Sequence, residues 1–419
     1  MLKNLLLVIF STLLTLAVLE AALRGIGPGN ELAYMLDEDV IYRPQPMRQM
    51  RYVRFPEEGG QVIYTRFDAH GFREGLGDPV TRDALRVFVY GDSYIQGSYS
   101  KVEGTFAGQL ARRLAAATTA QVRVVNAGVD GYGPDQIYLR MRKEIPRFRP
   151  DLVVLAVLAD NDAGDLIRNK LIRLDSEGRL KRQAFAFDEE LKHQYARRQK
   201  LDNMPAFAAD LVDPQLLKRD LRILLERRLG LPAGWLGDIP IDTNYRTATD
   251  VDWIEVWRKS SLNEFAEYMS NDGLLRLDNI LTDHYDADVT VQPTEDSSRY
   301  KLSLLDAVLA ETIEFLRLQG IPLVLVIVPS PIDACVAYDW QVDTAKYPNY
   351  GRRILSDAVA ETSRRLDALY VNLFDSFAGS DCNDLYFHHG NNHWNERGQA
   401  LAAKIVAERI RTGGVLRKP

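Results

Sequence analysis

Apolar residues along the chain follow two periods. Five runs are continuously or nearly continuously apolar and end abruptly on polar or turn-forming residues: Arg86–Tyr90, Val122–Asn126, Asp151–Leu158, Leu323–Val328 and Tyr370–Phe374. These read as strands, and the third and fourth are apolar enough to be covered on both faces. Between them the spacing becomes helical. Phe106–Ala117, Asp135–Lys143 (ended by Pro146 and Pro150), Leu302–Leu316 (ended near Gly320 and Pro322), Gly351–Leu369 and Asn395–Ile410 each predict a helix. Strands alternating with helices predict a parallel sheet with helices on both sides, an α/β architecture.

The rhythm is interrupted twice. Residues 26–85 are rich in turn formers and predict an irregular lead-in with one or two short strands, around Arg51-Tyr52-Val53 and Val62-Ile63-Tyr64-Thr65. Residues 163–300 contain no comparable buried strand. An exposed hairpin is expected at Leu171–Leu174 and Leu180–Phe185, and an amphipathic helix at Pro214–Leu229. Trp253 and Trp257 stand one helical turn apart and read as core anchors of this segment rather than a sugar platform. The expected organisation is an N-terminal helix (1–25), a lead-in (26–85), a first half-domain (86–162), a mostly helical insertion (163–300) and a second half-domain (301–412).

Asn4–Leu19 is free of charge and follows Lys3. As a helix this run spans about 24 Å, short of the ~30 Å hydrocarbon core unless Glu20–Leu23 extend it. Leu19-Glu20-Ala21 is a poor cleavage site. An uncleaved signal-anchor is therefore favoured over a removed signal peptide or a buried helix, placing the rest of the chain in the periplasm or outside the cell. The net charge of −6 argues against a nucleic-acid partner. The pairs Arg197-Arg198 and Arg227-Arg228 read as solvated helix faces. The only cysteines, Cys335 and Cys382, are expected to pair in an exported protein, with two free thiols as the alternative. His70 has no His or Cys nearby in sequence to make a metal site and reads as a packing or surface residue. No cofactor or metal is implied.

Ligands of open parallel sheets bind beyond the carboxyl ends of the strands. There the sequence places Gly91-Asp92-Ser93, then Asn126–Gly133, then Ala159-Asp160-Asn161-Asp162, and Asn391-Asn392-His393-Trp394-Asn395 just before the last helix. Acyl transfer by serine needs a nucleophile, a base, oxyanion donors and a group that orients the base. Ser93 and His393 supply the first two. A glycine N–H from 128–131, the Asn161 amide and the Ser93 N–H supply donors. A phosphate site would want Lys or Arg in these loops, and a flavin site a Ser/Thr/Gly-rich first loop.

These four blocks, in this order, resemble the SGNH hydrolases, also called GDSL-type esterases. The resemblance covers 86–165 and about 301–412. It implies a flavodoxin-like three-layer α/β/α sandwich with a five-stranded parallel sheet. It makes Ser93 the nucleophile, Gly131 (alternatively Gly128) and Asn161 the oxyanion donors, and His393 the base. The apolar N-terminus, His70-Gly71-Phe72-Arg73, Pro150–Leu155 and His393-Trp394-Asn395 look like the membrane-anchored, exported subgroup of bacterial envelopes. The implied substrate is an O-acyl, above all acetyl, ester of an envelope or extracellular polysaccharide, hydrolysed by water or transferred to a sugar hydroxyl.

Two departures stand out. Ala159 replaces the glycine that usually opens the third block. The family's acid lies three or two residues before the histidine, where this chain has Gly390 and Asn391. Either Asn391 orients His393 through Oδ1, or Asp381 or Asp384 substitutes, or the site is impaired and the cleft binds acylated glycans or an assembly partner. His388 and His389 are competing bases.

Overall fold

The computed structural model describes residues 2–26, 32–76, 84–231, 251–270, 272–379, 381–388 and 391–415. Five strands, β1 (Leu85–Tyr90), β2 (Val122–Asn126), β3 (Leu152–Ala159), β4 (Leu323–Pro329) and β5 (Leu369–Asn372), pair in the order β2-β1-β3-β4-β5, all parallel. This is the flavodoxin-like order. All eight residues of β3, the central strand, are buried, because helices cover both of its faces.

Alternate strand residues divide the core. Phe88, Tyr90, Val153, Leu155, Leu325 and Ile327 pack against the helices Pro134–Phe148, Asp296–Leu318 and Ile354–Arg365. Val87, Val89, Val154, Ala156, Val324 and Val326 face Phe106–Ala117 and the last helix, Glu396–Thr412. The helix Pro134–Phe148 runs through Pro146, beyond the end expected at that proline. Pro146 forfeits only the bond to the Arg142 carbonyl, and buried Ile145 and Phe148 hold the last turn.

The lead-in is more ordered than its turn-rich composition suggests. It forms two antiparallel ribbons, Tyr34–Asp37 with Ile41–Pro44 and Gln49–Val53 with Val62–Arg66. The expected hairpin is present as Ile172–Leu174 paired with Leu180–Arg182, although Ile172 is buried. The amphipathic helix ends at Ile223 and passes into a wider turn, Leu224–Arg228. Trp257 is buried against Trp253, Tyr285 and Trp340.

Buried ion pairs hold the segment 163–300 together and join it to Lys301 of the helix Asp296–Leu318. Arg168 pairs with Asp165 (2.6 Å) and with Glu264 of the helix Trp253–Ser270 (3.0 Å). Lys301 pairs with Asp288 (2.9 Å), and its side chain is fully buried. Removing one partner of such a set leaves an uncompensated buried charge.

The N-terminal helix is Leu2–Ile26, with an exposed apolar stretch from Lys3 to Leu23. At 25 residues it is about 37 Å long, enough to cross a hydrocarbon core. Its Glu20 carboxylate accepts a hydrogen bond from the Phe207 N–H of the insertion.

Cys335 and Cys382 form a disulfide, Cα–Cα 5.3 Å, that closes a 47-residue loop. It ties the segment after β4 to the segment that leads to His393. Replacing both cysteines with serine is expected to lower stability by about 4 kcal/mol in the chain-entropy model. Urea denaturation of both proteins measures this, and an unchanged midpoint would refute it.

Candidate active site

The turn that carries Ser93 begins where β1 ends. Asp92 caps the one-turn helix Ser93–Gln96 by accepting the Tyr94 N–H (2.9 Å), and Gly97 closes it in the left-handed conformation (φ 67°). Arg73, from the lead-in, is buried and donates to the main-chain carbonyls of Gln96, Gly97 (2.6 Å) and Ser100 (2.7 Å). Asn126, at the end of β2, donates to the Ile95 carbonyl (2.8 Å). The turn carrying Ser93 is thus clamped from two sides.

The histidine loop is held just as closely. Tyr386 pairs with Trp394 across it, and the Phe387 N–H donates to the His393 carbonyl (2.8 Å). Tyr338 donates to the carbonyls of Phe387 (2.6 Å) and Asn391 (3.0 Å). The Trp394 indole donates to the Tyr94 carbonyl (3.0 Å), and the Tyr94 hydroxyl donates to the Asn392 carbonyl. The neighbours of Ser93 and His393 are therefore bonded to each other in both directions.

Within this frame Ser93 Oγ lies 2.7 Å from His393 Nε2, and His393 Nδ1 lies 3.0 Å from Asn391 Oδ1. Asn391 Oδ1 also accepts the His393 main-chain N–H (3.2 Å). That N–H is always a donor, so the amide oxygen, not its nitrogen, must face the histidine. Nδ1 then carries the ring proton, and Nε2 is left bare toward Ser93. This is the tautomer a general base needs.

The carboxylates considered as substitutes lie elsewhere. Asp384 pairs with Arg397 (2.5 Å). Asp381 meets Asp384 through its main-chain oxygen (3.0 Å), and the structure shows no bond from it to His393. His388 is engaged by Asp339 (2.9 Å) and by the Asn383 carbonyl (2.8 Å), away from Ser93. His389 and Gly390 lie outside the described residues.

The rings of Tyr94 and Tyr99 flank the His393 ring, with centroids 4.8 and 4.4 Å away. Burial pushes the His393 pKa down to about 4, partly opposed by the charge of Asp283. The neutral, proton-accepting form thus persists well below pH 6. The acid limb of kcat/KM is expected near pH 4, with little change between pH 5 and 7. A pH–rate profile on an activated ester measures this, and a limb near 6.5 would refute it.

Two main-chain donors remain open. Neither the Ser93 N–H nor the Gly131 N–H takes part in a hydrogen bond among the described residues. Gly131 has φ 72°, and a Cβ there would lie 2.7 Å from the Tyr42 hydroxyl. Gly128 differs: its N–H donates to Asn126 Oδ1 (3.0 Å), and a Cβ would lie 2.3 Å from the Gln96 nitrogen, so it serves close packing. Ala159 ends β3 without a positive φ and needs no glycine.

Asn161 lies just beyond β3 and meets a partner from the insertion. Its Nδ2 donates to the carboxylate of Asp283 in the insertion, and its own Oδ1 is buried without a partner. Asp283 was not among the candidate residues. It lies 122 positions from Asn161, and no local pattern links the two. Other carboxyls crowd beneath. Burial raises Asp92, Asp160 and Asp162 well above the usual range, and the charges of Asp283 and other neighbouring carboxylates add to the shift in Asp92 and Asp160.

A five-stranded sheet of this order, with a serine–histidine pair beyond its strand ends, defines an α/β acyl hydrolase. Residues 89–295 match the GDSL-like lipase/acylhydrolase family, and the chain carries a domain of that family, the SGNH hydrolases. The matched region holds Ser93, Gly131, Asn161 and Asp283 and stops before His393. No curated protein sequence matches.

Among solved structures, a lipase/acylhydrolase from Enterococcus faecalis is 10% identical, covering 78% of this chain and 96% of its own, TM-score 0.32. A catalytic mutant of an acetylxylan esterase from Geobacillus stearothermophilus is 12% identical, covering 79% and 96%, TM-score 0.36. An esterase from Pseudoalteromonas sp. is 10% identical, covering 78% and 98%, TM-score 0.34.

Proposed function

We propose that the chain is a membrane-anchored, exported ester hydrolase that removes O-acyl groups, above all acetyl, from an envelope or extracellular polysaccharide. The observation that carries the catalytic reading is the 2.7 Å contact between Ser93 Oγ and His393 Nε2, with Nδ1 held by Asn391. Ser93 Oγ attacks the ester carbonyl carbon as His393 Nε2 takes its proton. The N–H groups of Ser93 and Gly131, with Asn161 Nδ2, hold the oxyanion. His393 passes the proton to the departing alcohol oxygen. Water, deprotonated by His393, then attacks the acyl-serine carbonyl carbon; the acyl–Oγ bond breaks, Ser93 Oγ takes the proton back from His393, and the carboxylic acid leaves.

The glycan substrate rests on the resemblance to the anchored subgroup and on the apolar helix Lys3–Leu23. A sugar hydroxyl in place of water would make the same residues a transferase. Hydrolysis is preferred because the matching family is one of acylhydrolases. A fluorophosphonate probe is expected to label the full-length protein in detergent and to leave Ser93→Ala unlabelled. Equal labelling of both would overturn the nucleophile. Glycan binding without labelling or turnover would establish a binding protein instead.

A further inference from the structure

A carboxylate stands where the substrate's oxyanion needs a donor. Asp283 accepts from Asn161 Nδ2, and Asn161 is itself almost wholly buried. Asp283 is exposed, and among the described residues its second oxygen meets no protein donor. The backbone that follows it is pinned. His284 is buried, with Nε2 against Glu264 (2.9 Å) and Nδ1 against the Tyr285 carbonyl (3.0 Å). Tyr285 donates to Asp333 (2.6 Å), and the Asp286 N–H donates to the Asp160 carbonyl (2.6 Å). Asp286 in turn accepts the Gly164 N–H (2.8 Å), one turn beyond Asn161. Asp283 is thus a fixed part of the site rather than the tip of a loose flap, and only its side chain is free to turn away.

An ionised carboxylate only accepts hydrogen bonds. An ester carbonyl offers it none, and like charge keeps the developing oxyanion away from it. A ligand engages the open oxygen of Asp283 only by presenting donors of its own, and Asn161 Nδ2 keeps its second N–H for the oxyanion.

We infer that Asp283 is the specificity-determining residue of this site: its open oxygen reads hydroxyl donors on the alcohol part of the ester, and in binding them it offsets the negative charge it holds beside the oxyanion. The preferred substrates are esters of polyhydroxylated alcohols, and simple aryl or alkyl esters are disfavoured because they leave the Asp283 charge unopposed beside the oxyanion. This rests on the ester-hydrolase reading and gives it a residue that recognises the glycan side.

The test compares p-nitrophenyl acetate with a mono-O-acetylated methyl glucoside. Hydrogen bonds to charged groups are worth roughly tenfold to a hundredfold in binding or rate. Asp283→Ala is therefore expected to raise kcat/KM for the aryl ester about tenfold and lower it for the sugar ester about tenfold. Asp283→Asn, which keeps the shape, is expected to move the ratio the same way. Phosphonylation of Ser93 by a fluorophosphonate, which also needs the oxyanion site, is expected to quicken about tenfold in Asp283→Ala. Activity that persists with an unchanged ratio between the esters, or with both esters changed equally, overturns the recognition role. Failure of every protein to label or turn over overturns the hydrolase reading, and this inference with it.

Discussion

Ser93→Ala and His393→Ala are each expected to lower kcat on any ester by about 10⁴- to 10⁶-fold, and the double variant is expected to be no worse than either single one. Groups that act as a unit lose their joint contribution when one is removed. At 2.7 Å the serine proton and the imidazole lone pair form one such unit. The residual rate in each variant would come from the Ser93 and Gly131 N–H groups and from substrate positioning. Steady-state kinetics on the two single variants and the double variant check this. Multiplicative losses would show that the two side chains act separately and would remove the general-base role of His393.

Asn391→Asp is expected to raise kcat/KM about 10- to 100-fold. Asn391 already holds the correct tautomer, so what it lacks is charge. When His393 takes the serine proton it becomes an imidazolium, and a neutral amide oxygen stabilises that cation less than a carboxylate does. The exchange sacrifices little packing, because Asn391 Nδ2 is buried without an acceptor among the described residues. The sign in pH is also fixed. A carboxylate favours the charged imidazole, so the His393 pKa rises from about 4 and the acid limb moves up toward neutrality. A faster enzyme with an unmoved limb would mean that the new carboxylate does not reach Nδ1. A slower one would mean that the Asn391 amide does more than orient.

The sheet was legible because burial on both faces leaves a continuous apolar run, as in Leu152–Leu158 and Leu323–Val328. Ser93, Gly131, Asn161 and His393 were legible because each follows a strand or precedes a helix at the edge where such sheets place ligands. The lead-in ribbons were half legible, because edge pairs bury few side chains and leave a weak alternation. Arg73 was seen as part of a motif, but its task was hidden. Its partners are main-chain carbonyls, which every sequence supplies. The state of Asn391 was undecidable from sequence, because the amide's direction is set by the His393 N–H, a geometric fact. Asp283 could not be found at all, since its contact depends on how the insertion folds back over β3.

The serine and histidine are 300 residues apart, and this spacing sets a clock. A ribosome completes the Ser93 turn, the Gly131 loop and Asn161 long before it reaches Asp283 of the insertion or His393. His393 is synthesised far later in the chain than any of them. It reaches its post only as the final helix settles, where Gln399 accepts the Phe106 N–H (2.9 Å) and donates to Ser100 Oγ (2.9 Å). Until then Ser93 has no imidazole beside it, and a nascent chain or one clipped before residue 393 lacks the base proposed for it. In the proposed mechanism, catalytic competence is therefore a late event in the folding of each molecule, gated by the docking of the helix Glu396–Thr412.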